Sequence, residues 1–182
     1  IDMSDRVSIR EAVVSVEEQL GTITTLVNNA GMPDAQWAVK QSDELIDTVM
    51  GTNLTGPYIL SCEVARKLMQ EKLPGRMVNI ASMAAFNTTS QSAAPLYSIT
   101  KKALVRMTEA LAVEWAGRNI NVNAIAPGFF SSEMTDGMLE RIGDITPTLN
   151  RKRIPTAEQM DSTLLFLLSP SSECVTGTCI KI

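Results

Sequence analysis

The sequence predicts an α/β domain in which a parallel sheet carries helices on both faces. Three observations point there. Short apolar runs alternate with longer stretches whose apolar residues recur at helical spacing. Gly and Pro punctuate the junctions between them. The 182 residues, 45% apolar and 20% charged, suffice for one domain with its own core. Strands separated by whole helices pair in parallel, because a hairpin leaves no room for the crossover.

The elements follow in order. Ser4 is the expected cap of a helix to Leu20, with Ile9, Val13, Val16 and Leu20 in register and Gly21 as terminator. Leu26-Val27 reads as a short buried strand. Ser42 opens a helical stretch with Leu45, Ile46, Val49 and Met50, and a second helix follows Gly56-Pro57 to about Gln70. Arg76 to Ile80 is a strand introduced by Pro74-Gly75. Leu104, Met107, Leu111 and Trp115 mark a long helix ending at Gly117, and Ile120 to Ala126 is a strand stopped by Pro127-Gly128. Thr156 with Gln159 forms a capping box for a helix through Leu168. Val175 to Ile182 closes the pattern as a strand. Phe129 to Pro155 lacks an apolar rhythm and reads as a flap over a site or as a plain surface loop.

Composition narrows the function. A net charge of −4 argues against a nucleic-acid binder. No stretch pairs a basic start with an apolar core and cleavage site, and the charge-free tract Met77–Thr100 is too rich in Asn, Ser, Thr and Gln to span a membrane. Cys62, Cys174 and Cys179 are an odd set without metal-ligand spacing and without any His to assist. A cytoplasmic protein with reduced thiols and no metal is the expectation.

Without His, an acid or base must come from Tyr, Lys, Cys or a carboxylate. Tyr97 lies four residues before Lys101, so one helix face carries both. A lysine cation beside a phenol favours the phenolate and is expected to lower its pKa. Such a pair also arises by chance, and alone it means little. Its context adds to it. Ser82 follows the strand Arg76–Ile80, Asn28-Asn29-Ala30-Gly31 follows Leu26-Val27, and Pro127-Gly128 follows Val122–Ala126. Each is an ordinary strand-ending turn by itself; together they line the carboxyl edge where parallel sheets bind ligands.

Asn28-Asn29-Ala30-Gly31, Asn53, Ser82, Tyr97-Ser98-Ile99-Thr100-Lys101 and Pro127-Gly128, in that order and spacing, resemble the short-chain dehydrogenase/reductase pattern along essentially the whole chain. The resemblance implies a Rossmann-like, doubly wound parallel sheet between two helical layers. It also implies hydride transfer between NAD or NADP and a small alcohol or carbonyl compound. By position, Tyr97 would be the acid/base, Lys101 would lower its pKa and hold the nicotinamide ribose, and Ser82 would bond the reacting oxygen. Asn53 would hold a water linking Lys101 to solvent, or else be a polar kink residue between Gly51 and Gly56. Asn29, Ala30 and Gly31 would pass the adenosine side, and Asp2-Met3 would touch the adenine. Pro127, Gly128 and Phe130 would border the nicotinamide, with Ser132 where the family commonly has a Thr.

The sequence departs from the family in two further places. Ser82 and Tyr97 are fifteen positions apart, which is about two more than is usual; the extra residues fall in Asn87 to Pro95, a wall of the substrate pocket. No glycine-rich phosphate turn occurs, so residues 1–182 read as a single Rossmann-like domain lacking its first strands and that turn. An exposed strand at Leu26-Val27 is then expected. The family also implies a homo-oligomer, dimer or tetramer, through the helices around Tyr58–Gln70 and Leu104–Trp115. Arg151-Lys152-Arg153 could meet a phosphate-bearing handle on the substrate, or simply be solvated. The candidate substrates are 3-oxoacyl thioesters, polyols, sugars, steroids and other secondary alcohols. The rival reading is a non-catalytic relative that serves as an interaction surface.

Overall fold

Four parallel strands form one sheet, in the order β1 (Thr25–Asn28), β2 (Gly75–Ile80), β3 (Ile120–Ala126) and β4 (Cys179–Lys181). These come from a computed structural model that describes residues 1–87 and 94–182. Most of the expected insertion between Asn87 and Pro95 therefore lies outside the described residues. The helices are α1 (Arg6–Leu20), α2 (Asp43–Met50), α3 (Gly56–Glu71), α4 (Pro95–Trp115), α5 (Glu133–Ile142) and α6 (Asp161–Leu168).

Side chains alternate across the pleat, and the core divides accordingly. Met77, Ile120 and Val122 face α3 and α4, where they pack with Val64, Leu68, Leu104, Leu111 and Trp115. Val78 and Ile125 face the other way and pack on Leu167 of α6. Helices thus cover both faces, as the element order requires. Leu68, fully buried, contributes on the order of 2 kcal/mol by burial alone. A polar ladder runs through the same interior. Asn28 Nδ2 donates to Ser61 Oγ at 3.0 Å and to Asn79 Oδ1 at 2.7 Å, and Asn79 Nδ2 donates to Thr108 Oγ1 at 2.9 Å. It ties β1, β2, α3 and α4 together.

Several expectations need correction. Asp5, not Ser4, caps α1: its carboxylate accepts from Val7 N at 2.8 Å, while the Ser4 hydroxyl donates to Asp2 Oδ1 at 2.7 Å. The capping box of Thr156 and Gln159 is present, but it opens a 3₁₀ turn, Ala157–Met160, that leads into α6. The last strand begins at Cys179 instead of Val175. Upstream of it the Asn123 side chain bridges Val175 O and Thr178 N, and Gly177 turns at φ 77°, so no regular ladder forms. Part of Phe129–Pro155 is helical: Ser132 caps α5, where Met134, Met138, Leu139 and Ile142 recur at helical spacing over a stretch too short to read as a continuous rhythm.

Candidate active site

The carboxyl ends of β2 and β3 meet the first turns of α4. Beyond β2, Ser82 starts a 3₁₀ turn, its Oγ accepting from Ala84 N at 3.1 Å. That turn is pinned twice. Ser98 of α4 donates its hydroxyl to Ala84 O at 2.7 Å, and Met83 N donates to Pro127 O at 2.8 Å beyond β3. Gly128 N donates to Ile182 O at 2.8 Å, which joins the end of β4 to the same edge. Tyr97 and Lys101 lie one turn apart on α4, with Lys101 Nζ 5.6 Å from the centre of the phenol ring.

Lys101 is almost completely buried, and its Nζ donates to Ile80 O at 2.7 Å. From the β1 side Gly31 comes up against it. A Cβ at Gly31 would lie 3.1 Å from Lys101 Nζ and 3.6 Å from Asn53 Oδ1, so only a glycine leaves that approach open. Asn53 is fully buried in a five-residue π-helical turn, Gly51–Thr55, that joins the end of α2 to the start of α3. Its Oδ1 accepts from Met32 N at 2.8 Å, and its Nδ2 donates to Met32 O at 2.9 Å and to Thr100 Oγ1 at 3.2 Å. Thr100 sits between Tyr97 and Lys101, so Asn53 joins the β1 loop to the helix that carries both.

Burial sets the electrostatics. It pushes the Tyr97 phenol above its ordinary value, while the neighbouring Ser82 side chain acts in the opposite, smaller sense. The expected lowering by Lys101 is therefore corrected: losing water raises the phenol more than its neighbours lower it. The same loss of water brings the Lys101 ammonium down to about 8. Tyr97 is thus a neutral acid at pH 7 and Lys101 a marginally held cation.

Other predicted residues lie around this centre. Asn29 and Ala30 are exposed where β1 ends. Met3 is buried, with its carbonyl against Gly56, and Asp2 Oδ1 accepts from both Ser4 N and Ser4 Oγ. Phe130 is half-buried; Ser132 is exposed, and its Oγ accepts from Thr135 N at 3.2 Å as the cap of α5. In the basic strip, Lys152 donates to Pro147 O and Arg153 to Gln159 Oε1.

The family model described as enoyl-(acyl carrier protein) reductase matches residues 1–182. A 2-dehydro-3-deoxy-D-gluconate 5-dehydrogenase of Dickeya dadantii is 33% identical over 184 aligned residues, covering 100% of this chain and 72% of that protein. The chain belongs to the short-chain dehydrogenase/reductase family. A short-chain type dehydrogenase/reductase from Mycobacterium marinum superposes with a TM-score of 0.94 at 27% identity, over 100% of this chain and 71% of that one. A variant of the actinorhodin polyketide ketoreductase, solved with NADPH, gives 0.93 at 29% identity over 100% and 74%.

In this short-chain dehydrogenase/reductase, the Lys101 ammonium has three donors and Ile80 O takes one of them, which leaves two for an incoming ligand. The missing side chain at Gly31 keeps the path to that nitrogen clear. Sequence reasoning passed over three residues close to this site. Thr100 gave no signal beyond lying between Tyr97 and Lys101. Asn28 gave none beyond opening Asn28-Asn29-Ala30-Gly31, and Asp34 read as one more polar loop residue.

Proposed function

We propose that this protein interconverts a secondary alcohol and a ketone with NAD or NADP, and that Tyr97 is the acid/base. One observation carries the reading: a buried Lys101 one helical turn from a neutral, half-buried phenol, with Ser82 beside it at the carboxyl edge of a parallel sheet. When bound, the nicotinamide supplies or accepts the hydride. In the direction of reduction, the Ser82 hydroxyl donates a hydrogen bond to the ketone oxygen and draws it toward Tyr97. As negative charge builds on that oxygen, the Tyr97 hydroxyl gives up its proton to it, and the product is the alcohol. The Lys101 cation favours the phenolate left behind. Asn53, bonded to Met32 and Thr100, keeps the helix and the β1 loop in step; Lys101 passes a proton to the phenolate, and a water held at Asn53 would restore that proton to Lys101 from solvent. Oxidation runs the same proton path in reverse.

Asp2, Met3, Asn29, Ala30 and Gly31 are proposed to line the adenosine end, and Pro127, Gly128, Phe130 and Ser132 the nicotinamide end. The substrate walls mix Phe86, Phe129, Phe130, Met134 and Met138 with Ser and Thr, which suits a carbonyl compound with both apolar and polar parts. Similarity to a sugar-acid dehydrogenase and a polyketide ketoreductase supports that breadth. A homo-oligomer, dimer or tetramer, is proposed to form through α3 and α4, where Tyr58, Ile99 and Val113 are exposed.

Calorimetric titration of the natural full-length protein with NADH and NADPH is the first test. It is followed by turnover on a panel of 3-oxoacyl thioesters and sugar-derived ketones. The proposal expects binding of at least one cofactor and reduction of at least one ketone. Failure to bind either cofactor contradicts it.

A further inference from the structure

Asp34 is buried, 3% exposed, in the loop beyond β1. Among the described residues no cation pairs with it, and a buried carboxylate without a cation is a poor stabiliser. Its bonds lead to the catalytic helix. Oδ2 accepts from Leu96 N at 2.9 Å, 62 residues further along the chain, and from Gln41 Nε2 at 2.6 Å. Helix α4 needs such a partner. Its own N-cap, Ala94, makes no side-chain bond, and its first turn holds no acidic residue. Pro95 has no N–H, so Leu96 presents the first orphan donor of the helix, and Tyr97 is the next residue. A carboxylate there satisfies that donor and faces the positive end of the helix dipole.

The base on which Asp34 stands is itself fixed. Met32, two residues before it, is held at both N and O by Asn53. Ala35, the residue after it, turns at φ 43°, a left-handed conformation that costs a non-glycine residue about 1 kcal/mol. The chain accepts that strain while its carboxylate points inward at α4.

We propose that Asp34 is a positioning residue for Tyr97. From a loop clamped to the π-helical turn, it sets the start of α4 and hence the place of the phenol at the sheet edge. The inference rests on the assignment of Tyr97 as acid/base. Displacing a reacting group by an ångström costs about 10²-fold in rate, so a lost anchor should be read in kcat.

The test compares the natural full-length protein with Asp34→Asn and Asp34→Ala. It reads kcat and KM for a ketone that the protein reduces, cofactor Kd by calorimetry, and thermal unfolding. Asp34→Ala is expected to lower kcat by about 10- to 100-fold, with cofactor Kd within about threefold of the original. Asp34→Asn keeps an oxygen for Leu96 N and is expected to restore kcat to within about fivefold. An unchanged kcat in folded Asp34→Ala overturns the proposal. So does a parallel loss of kcat and cofactor affinity, or an Asn variant no better than Ala. If Asp34→Ala does not fold, Gln41→Ala carries the test by removing the side-chain donor to the carboxylate, together with a longer 3.2 Å bond to Gln36 O in the same loop. It is expected to lower kcat by about two- to fivefold with cofactor Kd unchanged, and an unaltered kcat again overturns the proposal. Tyr97→Phe in the same assay separates the two claims. If Tyr97→Phe abolishes turnover but the Asp34 and Gln41 variants do not lower it, this inference alone fails. If the unmodified protein reduces no ketone, the function fails and takes the inference with it.

Discussion

Lys101 carries its charge where water does not reach, bonded to the carbonyl of Ile80 and stacked near the Tyr97 ring. Its pKa falls from 10.5 to about 8. Between those values the unfolded chain holds a proton that the folded chain has released, so stability rises as pH rises through that window. Below about pH 8 the full penalty applies, on the order of 3 kcal/mol. Denaturant unfolding of the cofactor-free protein at pH 7.5 and pH 10, beside Lys101→Met, checks this. The unmodified protein is expected to gain stability relative to the Met variant as pH rises; a constant difference contradicts it. The pairing of Tyr97 with Lys101 was legible because four residues make one helical turn. The direction of the phenol's shift was not, since burial depends on what the fold packs around it. Asp34 was illegible for a related reason: in a loop a carboxylate looks solvated, and the backbone N–H it accepts from lies in a distant helix.

At the level of elements, the π-helical turn organises the N-terminal segment as well as Asn53. Gly51 and Gly56 flank it, and the backbone of Met3 and Ser4 lies against both. A Cβ at Gly56 would sit 2.2 Å from the Met3 carbonyl oxygen. Alanine is the better helix former by about 1 kcal/mol, yet the clash with backbone outweighs that gain. Gly56→Ala is expected to destabilise by about 1–3 kcal/mol, while Gly117→Ala, with open space around it, stays within about 0.5 kcal/mol of the parent. Equal melting temperatures for the two variants contradict this account. The Asn28–Asn79 bond gives a second check. A double-mutant cycle through alanine at both positions should return a coupling of about 1–2 kcal/mol, and additivity would deny the ladder its role. Strands β2 and β3 were legible as apolar runs bounded by Gly and Pro. The π-helical turn was not, because Gly51 and Gly56 at its ends read as a break between two separate helices. The ladder joins residues 51 apart, which no local pattern reveals.

At the scale of the whole molecule, the outer face of α3 and α4 leaves Val113 82% exposed and Tyr58 49%. A groove between these helices is lined by Leu54, Tyr58, Ala103, Met107 and Ala110. Apolar exposure of this kind on two neighbouring helices fits contact with another copy of the chain. Sedimentation should therefore find a dimer or tetramer, and Val113→Asp should raise its dissociation constant at least about tenfold; a monomer at micromolar concentration contradicts the assembly. The alternation of strand and helix made the sheet's direction readable from sequence. The family resemblance already pointed to these two helices as an interface; which of their side chains stay exposed became visible only once the elements were packed.

The reaction proposed for this site turns on the phenol of Tyr97. Measuring turnover and cofactor affinity of Tyr97→Phe in the natural full-length protein tests that assignment most directly. The account predicts a kcat lower by about 10²- to 10⁴-fold, with cofactor Kd within about threefold. A kcat within about twofold of the original would remove Tyr97 from the chemistry.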